Sequence, residues 1–258
     1  MEPAFCFIAC VNDEEFWSQC REHIAALEVP PGYTVEVDKI TGADSMAQAY
    51  DDAMRRSDAQ YKVYLHQDTF VLDRRFLFHL LRLFTEHPEI GLIGMQGGTH
   101  LPRSGVWFHD GLHSYGSIMR FGRRGGILNR PLPALLNPAR IRPFHYLPVR
   151  GEYLPVLCVD GLLMATQYDV PWRTDLYGGF IWYEAPQCLE FIKRGYEVVV
   201  PRQEQPWCLH WGADRGPEED RAYHAKFREV LEIFRAEYAP FIGKSLEEVR
   251  ELVYAGVT

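Results

Sequence analysis

Strand-length apolar runs alternate with amphipathic helical stretches through the first hundred residues, and this alternation limits the fold more than any other feature of the chain. Ala4 to Val11 (AFCFIACV) is a continuous apolar run of strand length. Asn12 follows it, with Glu15 three residues later in capping-box form, and Phe16, Cys20, Ile24 and Leu27 then recur at helical spacing. Pro30, Pro31 and Gly32 end that helix, and Tyr33 to Ile40 alternates as a second strand. A helix is expected from about Ser45 to Arg56, with Ser45 or Asp44 as its cap. A strand at Tyr61 to Leu65 comes next, then a helix capped by Asp73 and carrying Phe76, Leu80, Leu83 and Phe84, and then a strand at Ile90 to Met95. Strands separated by helices predict βαβ units, a parallel sheet and right-handed crossovers.

Beyond Gly98 the pattern changes. Residues 99–150 are rich in Gly, Pro, Arg and aromatics without sustained periodicity, so long loops are expected, with room for a hairpin. Regularity resumes with one strand over Tyr153 to Val159, another at Leu162 to Thr166, a helix from about Glu184 to Arg194 ended by Gly195, and a strand at Tyr196 to Val200. Glu218 to Tyr238 is amphipathic, and Ser245 with Glu248 forms a further capping box. The chain therefore divides into a nucleotide-binding half (1–98), a loop-rich insertion (99–152), a second half (153–217) and C-terminal helices (218–258).

The strand at Tyr61 runs directly into His66, Gln67 and Asp68. In open α/β sheets ligands bind at the carboxyl ends of strands, which makes His66 and Asp68 the first candidates for chemistry. Such residues also serve simply to cap the turn after a strand. The net charge of -8 argues against a general nucleic-acid binder. Its distribution is uneven: Gly111 to Gly151 holds seven arginines and no acidic residue, leaving -15 on the remainder. These arginines suit a diphosphate or an anionic acceptor, or else pair with the acidic remainder or a neighbouring subunit in a homo-oligomer. Six cysteines without a CxxC pair indicate neither a zinc site nor a disulfide framework; Cys6 and Cys10, four apart on a strand, share one face. A reduced, cytoplasmic setting and no integral membrane segment are expected.

The runs ITGADSMAQAYDDAM, YKVYLHQD, EIGLIGMQGG, VDGLLMAT, GGFIWYEAPQCLEFIKRGYEVVVP and CLHWG, in that order, resemble the family 2 glycosyltransferases of GT-A fold, and within them most closely the streptomycin-biosynthesis-type glycosyltransferase-like domain. The resemblance covers nearly the whole chain. It implies a GT-A α/β fold, with a Rossmann-like donor half joined to an acceptor half in one continuous, mostly parallel sheet. It also implies a nucleoside diphosphate sugar as donor, an acceptor of unknown class and a divalent cation, Mn²⁺ or Mg²⁺, held by a DxD-type motif.

Here that motif is His66-Gln67-Asp68. Asp68 matches the retained acid, and His66 is a softer ligand that favours Mn²⁺. His210 matches a late metal or diphosphate histidine. Glu184 matches the general base of inverting members, although Tyr183 and Pro186 stand where further acids are frequent. Asp160 and Gly161 match the segment beneath donor sugar and acceptor, with Asp160 bonding hydroxyls and Gly161 permitting close approach. Asn12 and Asp13, and Asp44 and Ser45, match the base and ribose contacts. Each of these residues also has a structural reading, as a helix cap, a turn residue, a core histidine or a carboxylate at a helix N-terminus. Two other functions stay open on sequence: a nucleotide-binding protein of the same fold without catalysis, and a metal-dependent hydrolase.

Overall fold

A computed structural model describes residues 4–121, 141–212 and 217–257. The first part follows the expected alternation: β1 (Ala4–Val11), α1 (Glu14–Ala25), β2 (Thr34–Thr41), α2 (Met46–Arg56), β3 (Tyr61–Leu65), β4 (Thr69–Val71), α3 (Phe76–Glu86) and β5 (Ile90–Gly94). There follow β6 (Gln96–Gly98), β7 (His100–Leu101), β8 (Ser114–Phe121), β9 (Ile141–His145), β10 (Tyr153–Pro155), β11 (Cys158–Val159) and β12 (Leu163–Thr166). The chain continues with α4 (Glu184–Lys193), β13 (Glu197–Pro201), β14 (Cys208–His210), α5 (Pro217–Glu237), β15 (Lys244–Ser245) and α6 (Leu246–Tyr254).

A seven-stranded sheet has the order β10-β13-β5-β12-β3-β1-β2. Its inner strands β1, β3, β5 and β12 are buried almost throughout because both faces are covered, and the two-residue period decides which side each residue serves. Phe5, Phe7, Val63 and Leu65 pack with α1 and α3 residues such as Trp17, Ile24, Leu80 and Phe84. Cys6, Ile8 and Tyr64 pack on the other side with Tyr50 of α2, Leu189 and Phe191 of α4 and Phe234 of α5. Cys6 and Cys10 do share that second face, and all six cysteines are free thiols. β2, at the edge, carries exposed Glu36 and Lys39 and half-buried Asp38, charges that suit an edge kept from pairing further.

The sheet is mostly parallel, as expected, with β12 entering between β3 and β5 antiparallel to both and pairing Leu163 with Leu65 and Met164 with Gly94. Four expectations are corrected. There is not one continuous sheet, since β11, β6, β8, β14 and β4 form a second, with β9 added to β8. The strand expected over 153–159 is split between the two. β10 pairs β13, whereas β11 pairs β6, and the chain crosses at Val156 and Leu157, whose amides bond Val198 O and Gly98 O at 2.8 Å each. Finally, two caps differ: α1 is capped by Asp13, whose Oδ1 accepts from Glu15 N and Phe16 N, and not by Asn12, and α3 has no side-chain cap, Asp73 Oδ1 accepting instead from Arg75 N at 2.8 Å ahead of the helix.

Ser45 caps α2 as expected, and Ser245 and Glu248 complete the reciprocal box that opens α6. Within the loop-rich region, β8 and β9 form an antiparallel pair in which Arg120 faces Arg142, and the Arg120 guanidinium lies 3.9 Å over the Phe144 ring. Arg123, Arg124, Arg130 and Arg140 lie outside the described residues. Among those described, no helix is long and apolar enough to cross a membrane.

Candidate active site

The strand directions explain which segments meet. β1 and β3 run parallel, so their carboxyl ends bring Asn12 beside His66 and Gln67. β12 runs the other way, so its entry, Asp160-Gly161-Leu162, reaches the same edge, and His66 N bonds Leu162 O at 3.0 Å. β14 pairs β4 antiparallel with His210 opposite Thr69, and Trp211 N bonds Asp68 O at 2.9 Å. These four chain ends border a cavity of 610 Å³, within the range of small-molecule and cofactor sites.

On its wall His66, Asp68 and His210 offer ligating atoms that all lie within 4.8 Å of one another. His210 Nε2 stands 3.6 Å from Asp68 Oδ1, while Asp68 Oδ2 is held by Gly212 N at 3.1 Å. Two imidazoles and a carboxylate suit a divalent transition ion and leave coordination positions open for phosphate oxygens. His66 is also oriented from behind. Its Nε2 lies 2.7 Å from the Tyr183 hydroxyl, which donates its single proton to Gly161 O at 3.0 Å. In the tautomer that completes this pair Nε2 carries the hydrogen, and Nδ1 keeps the lone pair a cation needs. Burial lowers the His66 pKa below the ordinary value, nearby Asp68 opposes this, and His210 lowers it further, so the ring is kept neutral as a ligand must be.

Glu184 opens α4 and lines the same cavity. Burial pushes its carboxyl up to about 8; a hydrogen bond from its own backbone amide opposes the rise and the Asp160 charge adds to it. Asp160 lines the cavity too, with Oδ1 accepting from Leu162 N at 3.1 Å. Gly161 is required for a reason other than ligand approach. A Cβ there would meet the Tyr183 hydroxyl at 2.7 Å and Glu184 Cβ at 3.2 Å, so the glycine admits the ring that orients His66. Gly161→Ala is expected to cost about 1–3 kcal/mol of stability by overpacking, read as a lowered denaturation midpoint.

Asn12 lies on the cavity and is tied to Gln67, whose Oε1 accepts from Asn12 N and Asp13 N at 2.9 Å each while its Nε2 donates to Asn12 Oδ1. This tie leaves the cap of α1 to Asp13. Gly42, Ala43 and Met46 line the cavity, but Asp44 and Ser45 do not; Asp44 is exposed, and Ser45 Oγ accepts from Gln48 N at 3.4 Å.

A model of the glycosyltransferase-like family matches residues 6–231. The chain belongs to that family. Among solved structures, this glycosyltransferase-like chain is similar to the mannosyltransferase PcManGT of Pyrobaculum calidifontis in complex with GDP-Man and Mn²⁺, at 11% identity and a TM-score of 0.54, over 98% of this chain and 68% of that one. It is similar also to S. aureus TarS 1-349 with UDP-GlcNAc, at 8% identity and a TM-score of 0.57, over 99% of this chain and 71% of that one. The same TarS segment with UDP gives 10% identity and a TM-score of 0.51, over 99% and 70%. The fold is therefore of GT-A type. No match was found among curated proteins.

The glycosyltransferase-like chain also lines the cavity with the aromatics Phe108, Phe180, Trp182, Tyr223 and Phe227. Tyr223 and Phe227 sit four apart on α5, a spacing that suits a cavity wall as well as a buried face. Trp182 is the one described non-glycine residue with positive φ, at 62°. Such strain, of order 1–3 kcal/mol, persists where surrounding structure imposes it and is concentrated at ligand sites.

Proposed function

We propose that this glycosyltransferase-like protein transfers a sugar from a nucleoside diphosphate sugar to an acceptor hydroxyl, with divalent-cation dependence and inversion at the anomeric carbon. The observation that carries the reading is the convergence of His66, Asp68 and His210 within 4.8 Å on the wall of the cavity that Glu184 also lines. The donor set fits Mn²⁺ better than Mg²⁺, because imidazole is a softer ligand than carboxylate. GDP-Man with Mn²⁺ and UDP-GlcNAc, bound by proteins of similar fold, support a donor of that class.

A cation held there would neutralise the diphosphate and stabilise the nucleoside diphosphate as it leaves. Asp68 would supply the anionic ligand, and His66 and His210 the imidazole ones. Tyr183 holds His66 in the ligating tautomer. Glu184 accepts the acceptor hydroxyl's proton as that oxygen bonds the anomeric carbon and the bond to the diphosphate breaks, its electron pair leaving with the diphosphate. Asp160 bonds a sugar hydroxyl, and Asn12 with Gln67 borders the nucleoside. Asp44 and Ser45, off the cavity wall, reach the ribose only if the donor extends past Met46 along the mouth. In this reading residues 1–98 form the donor half and 153–217 the acceptor half.

The test is a screen of UDP, GDP and dTDP sugars with the Mn²⁺-loaded protein, following nucleoside diphosphate release. At least one donor should be hydrolysed slowly without acceptor and stop being so on chelation. Lack of binding and turnover with every donor, or metal-dependent cleavage of simple phosphodiesters in their place, overturns the reading. Tyr183→Phe should weaken Mn²⁺ by about 10–100-fold, as loss of an orienting partner does; unchanged Mn²⁺ dependence of turnover in that variant would remove Tyr183 from its role.

A further inference from the structure

A second group of ligating side chains lies on the segment next to the cavity's aromatic wall. His100 sits on β7, and Asp110 and His113 border the short turn that follows Trp107 and Phe108. One carboxylate oxygen, Asp110 Oδ2, lies 2.6 Å from His100 Nδ1 and 2.9 Å from His113 Nδ1, and the two rings are 5.4 Å apart and tilted by 60°. The three ligating atoms fall within 4.8 Å of one another. Hydrogen bonds from His113 and then His100 hold the Asp110 carboxyl below the ordinary aspartate range.

The backbone around these residues is fixed. Asp110 O accepts from His113 N at 3.1 Å and from Ser114 Oγ at 2.9 Å, His113 O accepts from Thr99 N at 2.9 Å, and β7 is paired with β15 so that His100 faces Ser245. Two imidazole nitrogens now point protons at one carboxylate oxygen, the arrangement a cation replaces when it displaces those protons. With bonds of about 2.0–2.2 Å to nitrogen and oxygen, tetrahedral ligands stand roughly 3.3 Å apart, so binding needs a separation of about half an ångström between side chains that are 27%, 21% and 52% exposed. Two nitrogens, one carboxylate and an open side toward solvent make a donor set of the zinc class.

We propose that His100, Asp110 and His113 form a second divalent transition-metal site, separate from His66, Asp68 and His210, that pins the segment carrying Trp107 and Phe108 into the cavity wall. Both aromatics line the cavity, Phe108 with its ring centroid 6.0 Å from that of Trp182. The site is independent of the reaction proposed above, because its ligands do not border the cavity themselves.

The experiment uses the full chain carrying Asp68→Asn and His210→Ala, stripped with chelator and titrated with Zn²⁺ and with Co²⁺ as a coloured substitute. The double variant should still bind one equivalent of either ion, with visible cobalt bands of a four-coordinate site. Adding His113→Asn should weaken that equivalent at least tenfold, whereas His113→Cys should keep it and add a thiolate-to-cobalt charge-transfer band. Melting curves recorded in chelator identify any variant that fails to fold. In the double variant Zn²⁺ should also slow amide exchange over residues 107–113, and in the His113→Asn variant it should not. Absence of tight Zn²⁺ binding in the double variant, or an unchanged stoichiometry with His113→Asn, overturns the site; binding without slowed exchange overturns its role in pinning the segment.

Discussion

Glu184→Gln is expected to lower sugar transfer by about 10²–10⁴-fold, the range a positioned general base supplies, while donor affinity stays as it is, because the amide keeps the shape and loses only the basicity. The raised pKa dictates the pH behaviour. With the carboxyl titrating near 8, kcat/KM of the wild type should climb as pH rises toward about 8 and then level off. Stability moves the other way. The folded carboxyl stays protonated up to about 8 while the unfolded one ionises near 4.5, so the folded state binds the extra proton, and stability is full below about 4.5 and falls as pH rises through that window. Glutamine carries no such penalty. Each pKa unit corresponds to about 1.4 kcal/mol and each kcal/mol to about 2–4 °C in a chain of this size. The variant should therefore melt at least about 5 °C above wild type at pH 8 and nearly level with it at pH 5. A pH-independent difference, or unimpaired transfer, would remove Glu184 as the base.

Asp68→Asn should abolish cation-dependent donor binding, with a loss of about 100-fold or more, above what outer partners of a metal cost. It removes the only anionic ligand of the three yet leaves the fold intact, since the amide oxygen can still accept from Gly212 N, now bonded to Asp68 Oδ2 at 3.1 Å. Asp68→Ala removes that acceptor as well and should add a stability loss of about 1–3 kcal/mol. Equal melting temperatures for wild type and Asp68→Asn, combined with lost binding, separate a ligand from a turn residue. Retained Mn²⁺-dependent binding in Asp68→Asn contradicts the ligand assignment.

The alternation of apolar runs and amphipathic helices was enough to place β1, β2, β3, β5 and α1 to α3 within a residue or two, because strand and helix periods are local properties, whereas the three-residue β4 went unseen. The end of β3 was likewise legible, since a buried strand that turns polar has few other places to lead. Orientation was not. Nothing within Leu162 to Thr166 says that this strand inserts antiparallel between β3 and β5, yet that insertion is what brings Asp160 and Gly161 to His66.

The missed residues share one property, dependence on partners distant in sequence. Gln67 ties β3 to the end of β1 across 55 residues, and Tyr183 reaches His66 across 117. Tyr183 was visible in the sequence only as a departure from the family pattern. In the structure it accompanies the other departure, His66: an imidazole ligand needs its second nitrogen satisfied, and the tyrosine hydroxyl satisfies it.

The central claim is that His66, Asp68 and His210 hold one cation for the donor diphosphate. The direct measurement is a calorimetric titration of UDP and GDP into the protein, with Mn²⁺ and after chelation, in wild type, Asp68→Asn and His210→Ala. One nucleotide should bind the wild type tightly with Mn²⁺ and at least tenfold more weakly without it, and both variants should lose that coupling. Equal nucleotide affinity with and without Mn²⁺ in the wild type, or the same Mn²⁺ coupling in all three proteins, would contradict it.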